Sequence, residues 1–594
     1  MQTAESAPAP RGEKTWFGHP APLFWLFGTE MWERFGYYGM RALLTLYLTK
    51  HFVLGDRAST GLYGGYTALV YLTPLVGGLL ADQYLGSKRA VRFGAILMAI
   101  GYFTLAFGGQ AAKPYQLIDG KRYEVVVEKF RDGPTSDPGE TRYLVDGGQK
   151  LKMQGNEDGS LSLLAADGKE ARRIAAGKFT EQAERSDLLV AILLIALSLI
   201  SIGNGFFKPN ISTMVGELYA QGDRRRDAGF TIFYMGINTG SILGQFLCAF
   251  FADSIGWPAG LGLAGVAMVI SFFMISNHGG RLDTVGNAPE GTKDRSLLIY
   301  LGALAAVPVL YFLFTNLMSA PKPVEGSGFV GYLLSLSLMG KLLFGTFLVS
   351  VPGILVWSAL YGSRKELEMM LAAMVLIVFN VFFWTLFEQA GSSLTLFADR
   401  NTDRSVFGLF SLSAPQTQNF NPISIVLLAP LMSALWGFLA RRNLEPSIPV
   451  KFAIALVGVG AGFLFLVLGA SLAGADTGYK VGLWWLAGLY VIHSLAELCI
   501  SPVGLSMITK LSIARIVGLM MGVWFLSISV AQFVAGVVAQ FASVETVGGQ
   551  VTNLKVSLDT YTATFTTIAW ISIGAGVLLF LLAIPLKKWM HGVK

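Results

Sequence analysis

The sequence predicts an all-α membrane protein with two halves of six spans, an added helix pair between them, and a small β-rich external insert. Three observations predict it. Of 594 residues, 53% are hydrophobic and 14% charged, against about 25% charged in an ordinary soluble domain. The apolar residues gather into fourteen runs, each long enough for a helix of about 20 residues to cross about 30 Å of hydrocarbon. Short charged loops separate the runs, apart from one long polar stretch. A net charge of +7, spread over scattered clusters, argues against nucleic-acid binding. Cys248 and Cys499 both lie in apolar runs, so neither can staple an external loop.

Taken in order, residues 1–20 carry Pro8, Pro10, Arg11, Glu13 and Lys14 and no short apolar core with a cleavage site, so the run from Leu23 reads as a span and not a signal. Residues 1–110 form an amino-terminal bundle with spans near 22–50, 58–82 and 90–110. Residues 111–186 form the insert, and 187–278 complete the bundle with spans near 187–209, 227–252 and 258–278. A polar linker, 279–295, contains His278 at its edge, then Gly279, Gly280, Arg281, Gly286, Asn287 and Pro289. The added hairpin is 296–362, with spans near 296–318 and 329–360. Residues 363–594 form the carboxyl-terminal bundle, with spans near 369–398, 422–440, 451–474, 480–508, 515–541 and 562–586.

Positive residues of short loops are retained in the cytoplasm. Lys88, Arg89 and Arg92, then Arg224, Arg225 and Arg226, then Arg364 and Lys365, Arg441 and Arg442, and Lys587 and Lys588 all fall on one side. The opposite loops carry single charges such as Arg57, Lys322, Lys480 and Lys555. Both termini are expected in the cytoplasm and the insert outside. Within the insert, Tyr123–Lys129 and Thr141–Val145 alternate in polarity between Asp-Gly and Pro-Gly turns, which reads as short strands. Six spans on either side of a hairpin match transporters whose halves rock about a site near the bilayer midplane.

Charges inside spans are costly, at least about 2.5 kcal/mol each near the bilayer centre. The first span nevertheless carries Glu30, Glu33, Arg34 and Arg41. With Tyr37 and Tyr38 these positions follow the i, i+3, i+4, i+7, i+8, i+11 series, so they share one helical face that must look into protein or water. A static ion-pair network is the competing reading. Lys208 sits beside Pro209 in the fourth span, Glu388 in Trp384–Gln389, and Glu497 four residues after His493. Cationic Arg34 and Lys208 in one half and anionic Glu388 and Glu497 in the other suit the two ends of a zwitterion. His493 and Glu497 are a metal pair without a third ligand, and a hydrogen-bonded histidine is the stronger reading. Trp384 is a candidate lining residue of a side-chain pocket. The sequence lacks Gly-x-Ser-x-Gly, His-Glu-x-x-His and a nucleotide-binding Gly-x-x-x-x-Gly-Lys-Ser/Thr, which leaves an enzyme or an ATP-driven pump without a visible site.

These residues resemble the proton-dependent oligopeptide transporter family, bacterial type, a branch of the major facilitator superfamily. Glu30-x-x-Glu33-Arg34-Phe-x-Tyr37-Tyr38-Gly39 matches its first-span signature. Gly77-Gly-Leu-Leu-Ala-Asp82-Gln-Tyr-Leu-Gly86-Ser-Lys88-Arg89 and Phe230-Thr-Ile-Phe-Tyr234-Met-Gly-Ile-Asn238-Thr-Gly240 match two more, as do Phe-Lys208-Pro, Glu388-Gln389 and Glu497 followed by Ser501-Pro502. The resemblance implies the major facilitator fold and proton-coupled import of di- and tripeptides, with no cofactor, a proton gradient as driving force, and lipid but no obligate protein as partner. It implies that Arg34, Lys208, Tyr38 and Tyr71 take the peptide carboxylate, with Tyr66 competing for the last role. Glu497, Asn238 and Asn421 take its amino end. Glu30, Glu33, Arg34, Lys208 and Glu388 handle the proton. Arg41 with Glu388, and Asp82 with Lys88 and Arg89, gate the two sides. Two departures stand out: no histidine lies between Gly61 and Asp82, where mammalian relatives use one for the proton, and the insert has no counterpart in the family pattern. The alternatives are a carrier of another small anion or zwitterion on the same fold, such as nitrate, a drug or an amino-acid conjugate, or else a membrane enzyme or a receptor.

Overall fold

The computed structural model describes residues 15–130, 139–156, 158–220, 223, 225–277, 282, 285–289, 291–319, 328–544, 546–547, 550–551 and 553–593. The amino-terminal charges up to Lys14, Arg224, Lys322, His278 and the Gly279–Arg281 part of the linker lie outside them. Among the described residues, thirteen helices are long and apolar enough to cross a bilayer. The first helix, α1 (Pro22–Leu46), is a fourteenth of sufficient length, 25 residues, and carries four charges, Glu30, Glu33, Arg34 and Arg41. It ends in a π-helical turn, Tyr47–His51. Then come α2 (Asp56–Leu80) with a second π turn at Ala81–Leu85, α3 (Ser87–Ala106), α4 (Asp187–Glu217), α5 (Arg226–Ser254), α6 (Trp257–Ser276) and α7 (Ser296–Met318). The second half of the chain gives α8 (Gly328–Ser335), α9 (Leu338–Tyr361), α10 (Arg364–Phe387), α11 (Ser393–Arg400), α12 (Phe420–Arg441), α13 (Ile448–Ser471), α14 (Leu483–Leu511), α15 (Val517–Ala539) and α16 (Leu554–Trp589).

Two expected spans are interrupted. The run near 329–360 divides into α8 and α9 because Ser337 caps the second piece, its hydroxyl accepting from Gly340 N at 3.2 Å. The run near 369–398 divides at Glu388–Ser392. There Gln389 Nε2 donates to the carbonyl of Thr385 (3.1 Å), an acceptor near the broken helix end, and to that of Ala535 on α15 (3.2 Å), which ties the break to its neighbour. α10 starts on a capping box, with Ser363 Oγ accepting from Glu366 N and Glu366 Oε2 from Ser363 N.

The insert is one antiparallel sheet of seven strands: β1 (Lys113–Ile118), β2 (Lys121–Phe130), β3 (Gly139–Asp146), β4 (Gln149–Gly155), β5 (Leu161–Leu164), β6 (Glu170–Ile174) and β7 (Phe179–Glu184). Their order is β6-β5-β4-β3-β2-β1-β7. Two-residue hairpins at Asp119-Gly120 and Gly147-Gly148 have φ of 50° and 79°, then 57° and 85°. Asp-Gly and Gly-Gly supply the paired positive φ that the tightest hairpin turn requires. One face of the sheet buries Ile118, Tyr123, Val125, Leu144, Leu161 and Leu163. Arg142 on β3 is buried against Glu140 (3.2 Å), and burial draws its guanidinium down to about 10 against the pull of Glu140 and Glu181. The insert is tied to the membrane helices at several points. Arg185 Nη2 donates to Val53 O (3.1 Å), Ala112 N to His51 O (2.8 Å), and Thr546 Oγ1 to Glu181 Oε2 (3.2 Å).

The chain folds as two compact units. One takes residues up to Arg41, Leu69–Phe107 and Ile192–Phe312, and the other takes Ala42–Ala68, Gly108–Ala191 and Leu313–Lys594. Within the first, α2 and α4 approach at glycines: a Cβ on Gly77 would run into the Gly205 carbonyl, and one on Gly205 would lie 2.8 Å from Thr73 Cβ. Small residues allow such contact between spanning helices. Gly77→Leu is therefore expected to lower the melting temperature of the purified protein, since overpacking costs about 1–3 kcal/mol. Gly302→Ala, where an added Cβ meets nothing within 4 Å, should leave it unchanged. Equal melting of both variants would contradict the close approach.

Candidate functional site

In the first unit, α5 holds α1 by its glycines. A Cβ on Gly240 or Gly244 would strike the carbonyl of Met31 or Phe35, so the backbones touch and the charged face of α1 turns elsewhere. On that face Glu30 is 3% exposed, Glu33 0% and Arg34 3%. Arg34 Nε donates to Glu30 Oε1 at 2.7 Å and lies 2.6 Å from Glu33 Oε2. Arg34 Nη2 is buried and has no hydrogen-bond partner. The guanidinium lies 5.5 Å from the centre of the Tyr37 ring, and Tyr38, half-buried, is within its electrostatic reach.

α4 contributes two groups one turn apart. Asn204 Nδ2 donates to Glu33 Oε1 (3.3 Å), and Lys208 Nζ lies 4.2 Å over the Tyr71 ring and feels the charge of Glu33, Glu30 and Arg34. The structure thus brings Glu30, Glu33, Arg34, Lys208 and Tyr71 into one group. Tyr66 is fully buried in the stretch of α2 belonging to the second unit. Asn204 was given no role from sequence, although its position four residues before Lys208 marks it as sharing that face. Arg41, 8% exposed, ends the first unit's part of α1. Asn238 on α5 donates to its own helix at Tyr234 O (3.1 Å).

At the far end of this unit, Lys88 Nζ donates to Asn287 Oδ1 (3.0 Å) and its backbone N to Gly286 O (2.8 Å). Arg89 Nη1 reaches Asp294 Oδ2 at 3.3 Å. Asp82 is exposed in its π turn and forms no ion pair with either among the described residues.

The second unit carries the anionic candidates. Asn421, in the first turn of α12, donates to Glu497 Oε2 (3.2 Å) and Ser494 Oγ (3.0 Å) of α14. His493 Nε2 is 3.0 Å from Val459 O, which makes it a hydrogen-bonded core histidine. Glu388, 6% exposed, caps the end of α10, its N–H donating to Trp384 O at 2.9 Å. Trp384 is half-buried, edge-on to Phe383 and Phe387 at 5.2 and 5.4 Å.

The same unit contains a charge group that the sequence reading passed over. Arg400 at the end of α11 donates from Nη1 and Nη2 to the two oxygens of Asp56 at 2.7 Å each, and from Nη1 to Tyr561 Oη at 3.1 Å. Val544 N adds a bond to Asp56 Oδ2 (3.1 Å), and Lys50 Nζ pairs with Asp399 at 2.7 Å. Ser529 Oγ donates to Ala68 O at 2.7 Å, and α2 meets α15 where Gly64 and Gly536 touch. These contacts join the carboxyl end of α1 and the amino end of α2 to the carboxyl-terminal helices. Asp56 and Arg400 stand at the ends of apolar runs, where a charge is unremarkable in sequence.

Comparison with known proteins agrees with this architecture. The chain is 29% identical over 609 residues to the Peptide transporter YePEPT of Yersinia enterocolitica, covering 100% of this chain and 99% of the other. It is 26% identical to the Dipeptide and tripeptide permease B of Aliivibrio fischeri, over 96% and 95% of the two chains. A crystal structure of the peptide transporter POT in complex with sulfate superposes with a TM-score of 0.70 at 28% identity, covering 98% of each chain. A mutant of that transporter in complex with alafosfalin gives the same TM-score and identity, again over 98% of each chain. The Major Facilitator Superfamily model matches residues 185–420 and the POT family model residues 88–278 and 344–554. The chain is an integral membrane transporter with the major facilitator fold and belongs to the POT family.

Proposed function

We propose that this chain imports di- and tripeptides together with protons by alternating access. It does so without a cofactor, from the bacterial inner membrane, with both termini cytoplasmic and residues 111–186 in the periplasm. The names of its relatives support peptides as substrate. The observation that carries the coupling is the composition of the α1–α4 group: two carboxylates, Glu30 and Glu33, against two cations, Arg34 and Lys208. Their formal charges sum to zero. A peptide carboxylate alone would leave this buried group negative, a state that low dielectric penalises. A proton on Glu33 restores neutrality and loosens its hold on Arg34, whose Nη2 then receives the peptide carboxylate beside Lys208 and the Tyr38 and Tyr71 hydroxyls. Glu497, its carboxylate already held by Asn421, takes the ammonium, with Asn238 assisting and Trp384 lining the side-chain pocket. Arg41 with Glu388, and Asp82 with Lys88 and Arg89, select which side is open.

Each proton moving inward gains about 2.3 kcal/mol per 100 mV of membrane potential. Purified protein in liposomes is expected to accumulate labelled dialanine when the outside is acidic. Glu33→Gln should abolish that accumulation while retaining peptide exchange without a gradient. Accumulation by Glu33→Gln vesicles at the wild-type level would overturn the assignment of the proton to Glu33, and no dialanine uptake by the wild-type protein would overturn the function.

A further inference from the structure

A crevice of about 480 Å³ runs along the first unit between α2, α4 and α7, away from the charged face of α1. Its α7 wall includes Ile299, Gly302, Ala303, Ala306 and Leu310, one helical face whose middle is recessed by small side chains, with Leu298 beside it. The facing wall includes Val76, Gly77, Leu80 and Phe206. Thr73, the hydroxyl among the lining residues within the spans, is already satisfied: it donates to Leu69 O (2.9 Å) and Ser201 O (2.8 Å). The interior therefore asks for an apolar occupant.

The crevice is polar at one end only, where Arg295 lies 5.1 Å over the Tyr84 ring. Among the described residues Arg295 meets no carboxylate. Its neighbour Asp294 is taken by Arg89 (3.3 Å) and by Ser296 N (2.9 Å). From Thr73 on α2 to Tyr84 in the π turn that continues it, the chain rises about 16 Å, close to half of a hydrocarbon layer about 30 Å thick. A helix of that length and about 10 Å across would need roughly 1,200 Å³, far more than the space available. An acyl chain matches this length, and an exposed guanidinium beside a tyrosine at the membrane interface suits a phosphate.

We infer that this crevice binds one anionic phospholipid from the leaflet on the Arg295 side, an acyl chain along α7 and the phosphate on Arg295. The site lies on the backs of α2 and α4, the helices that carry Tyr71 and Lys208.

The test is native mass spectrometry of the purified full-length protein, exposed in turn to phosphatidylglycerol and to phosphatidylcholine with identical chains. The wild-type protein should retain one phosphatidylglycerol about fivefold better than phosphatidylcholine, the preference expected of one basic contact. Arg295→Gln should erase that preference. Gly302→Leu, which places a side chain in open space, should lower retention of both lipids. Ala306→Leu serves as the second filling variant should Gly302→Leu melt early. Equal retention of the two lipids by the wild-type protein, or retention unchanged in Arg295→Gln and in whichever filling variant keeps the wild-type melting temperature, would reduce the crevice to ordinary boundary lipid and overturn the proposal.

Discussion

Arg34→Lys is expected to lower dialanine uptake about 100-fold at low peptide concentration while the protein keeps its membrane insertion and melting temperature. The reason is geometry at constant charge. Arg34 holds Glu30 through Nε and leaves Nη2 without a partner, so in the proposed mechanism one planar group serves the coupling carboxylates and the substrate together. Lysine offers a single compact ammonium that cannot do both. The ammonium stays with Glu30 and Glu33 and the bond that Nη2 offers the peptide carboxylate is lost, a charge-assisted bond contributing about 1.5–3 kcal/mol. A loss of about 3 kcal/mol corresponds to about 100-fold. The measurement is initial uptake into liposomes with an acidic exterior, beside a thermal melt. Uptake within threefold of wild type would remove Arg34 from carboxylate binding.

Arg400→Gln is expected to lower the melting temperature sharply, and adding Asp56→Asn to restore much of the loss. Arg400 is 2% exposed and Asp56 3%, and their two bonds of 2.7 Å consume both carboxylate oxygens. Removing one partner leaves the other charge buried and unpaired, which costs about 3–5 kcal/mol. In the double variant neither site is charged, and Val544 N and Tyr561 keep neutral partners. The check is a double-mutant cycle on thermal stability. Additive single effects would show that the pair does not act as a unit.

Much of the architecture was legible because hydrocarbon imposes a simple length and polarity rule on every span. That rule located the helices and also flagged Glu30, Glu33, Arg34, Lys208, Glu388 and Glu497 as anomalies, since a charge inside a span needs a reason. The insert's strands were legible from alternation and from Asp-Gly turns, although its seven-stranded order was not. The breaks at Ser337 and at Glu388–Ser392 were missed because hydropathy does not register a cap or a re-formed hydrogen bond.

The sequence by itself determined the membrane class, the number of spans and the helical face of α1 that bears the charges, because periodicity and burial cost are properties of a single segment. Only the tertiary structure decided that Asn204 reaches Glu33, that Lys208 lies over Tyr71, that Asp56 closes on Arg400 across 344 residues, and that Arg295 heads an apolar crevice. Each of these depends on which helix faces which, and that is set by packing among many segments at once, with glycines such as Gly77, Gly240 and Gly536 fixing the distances.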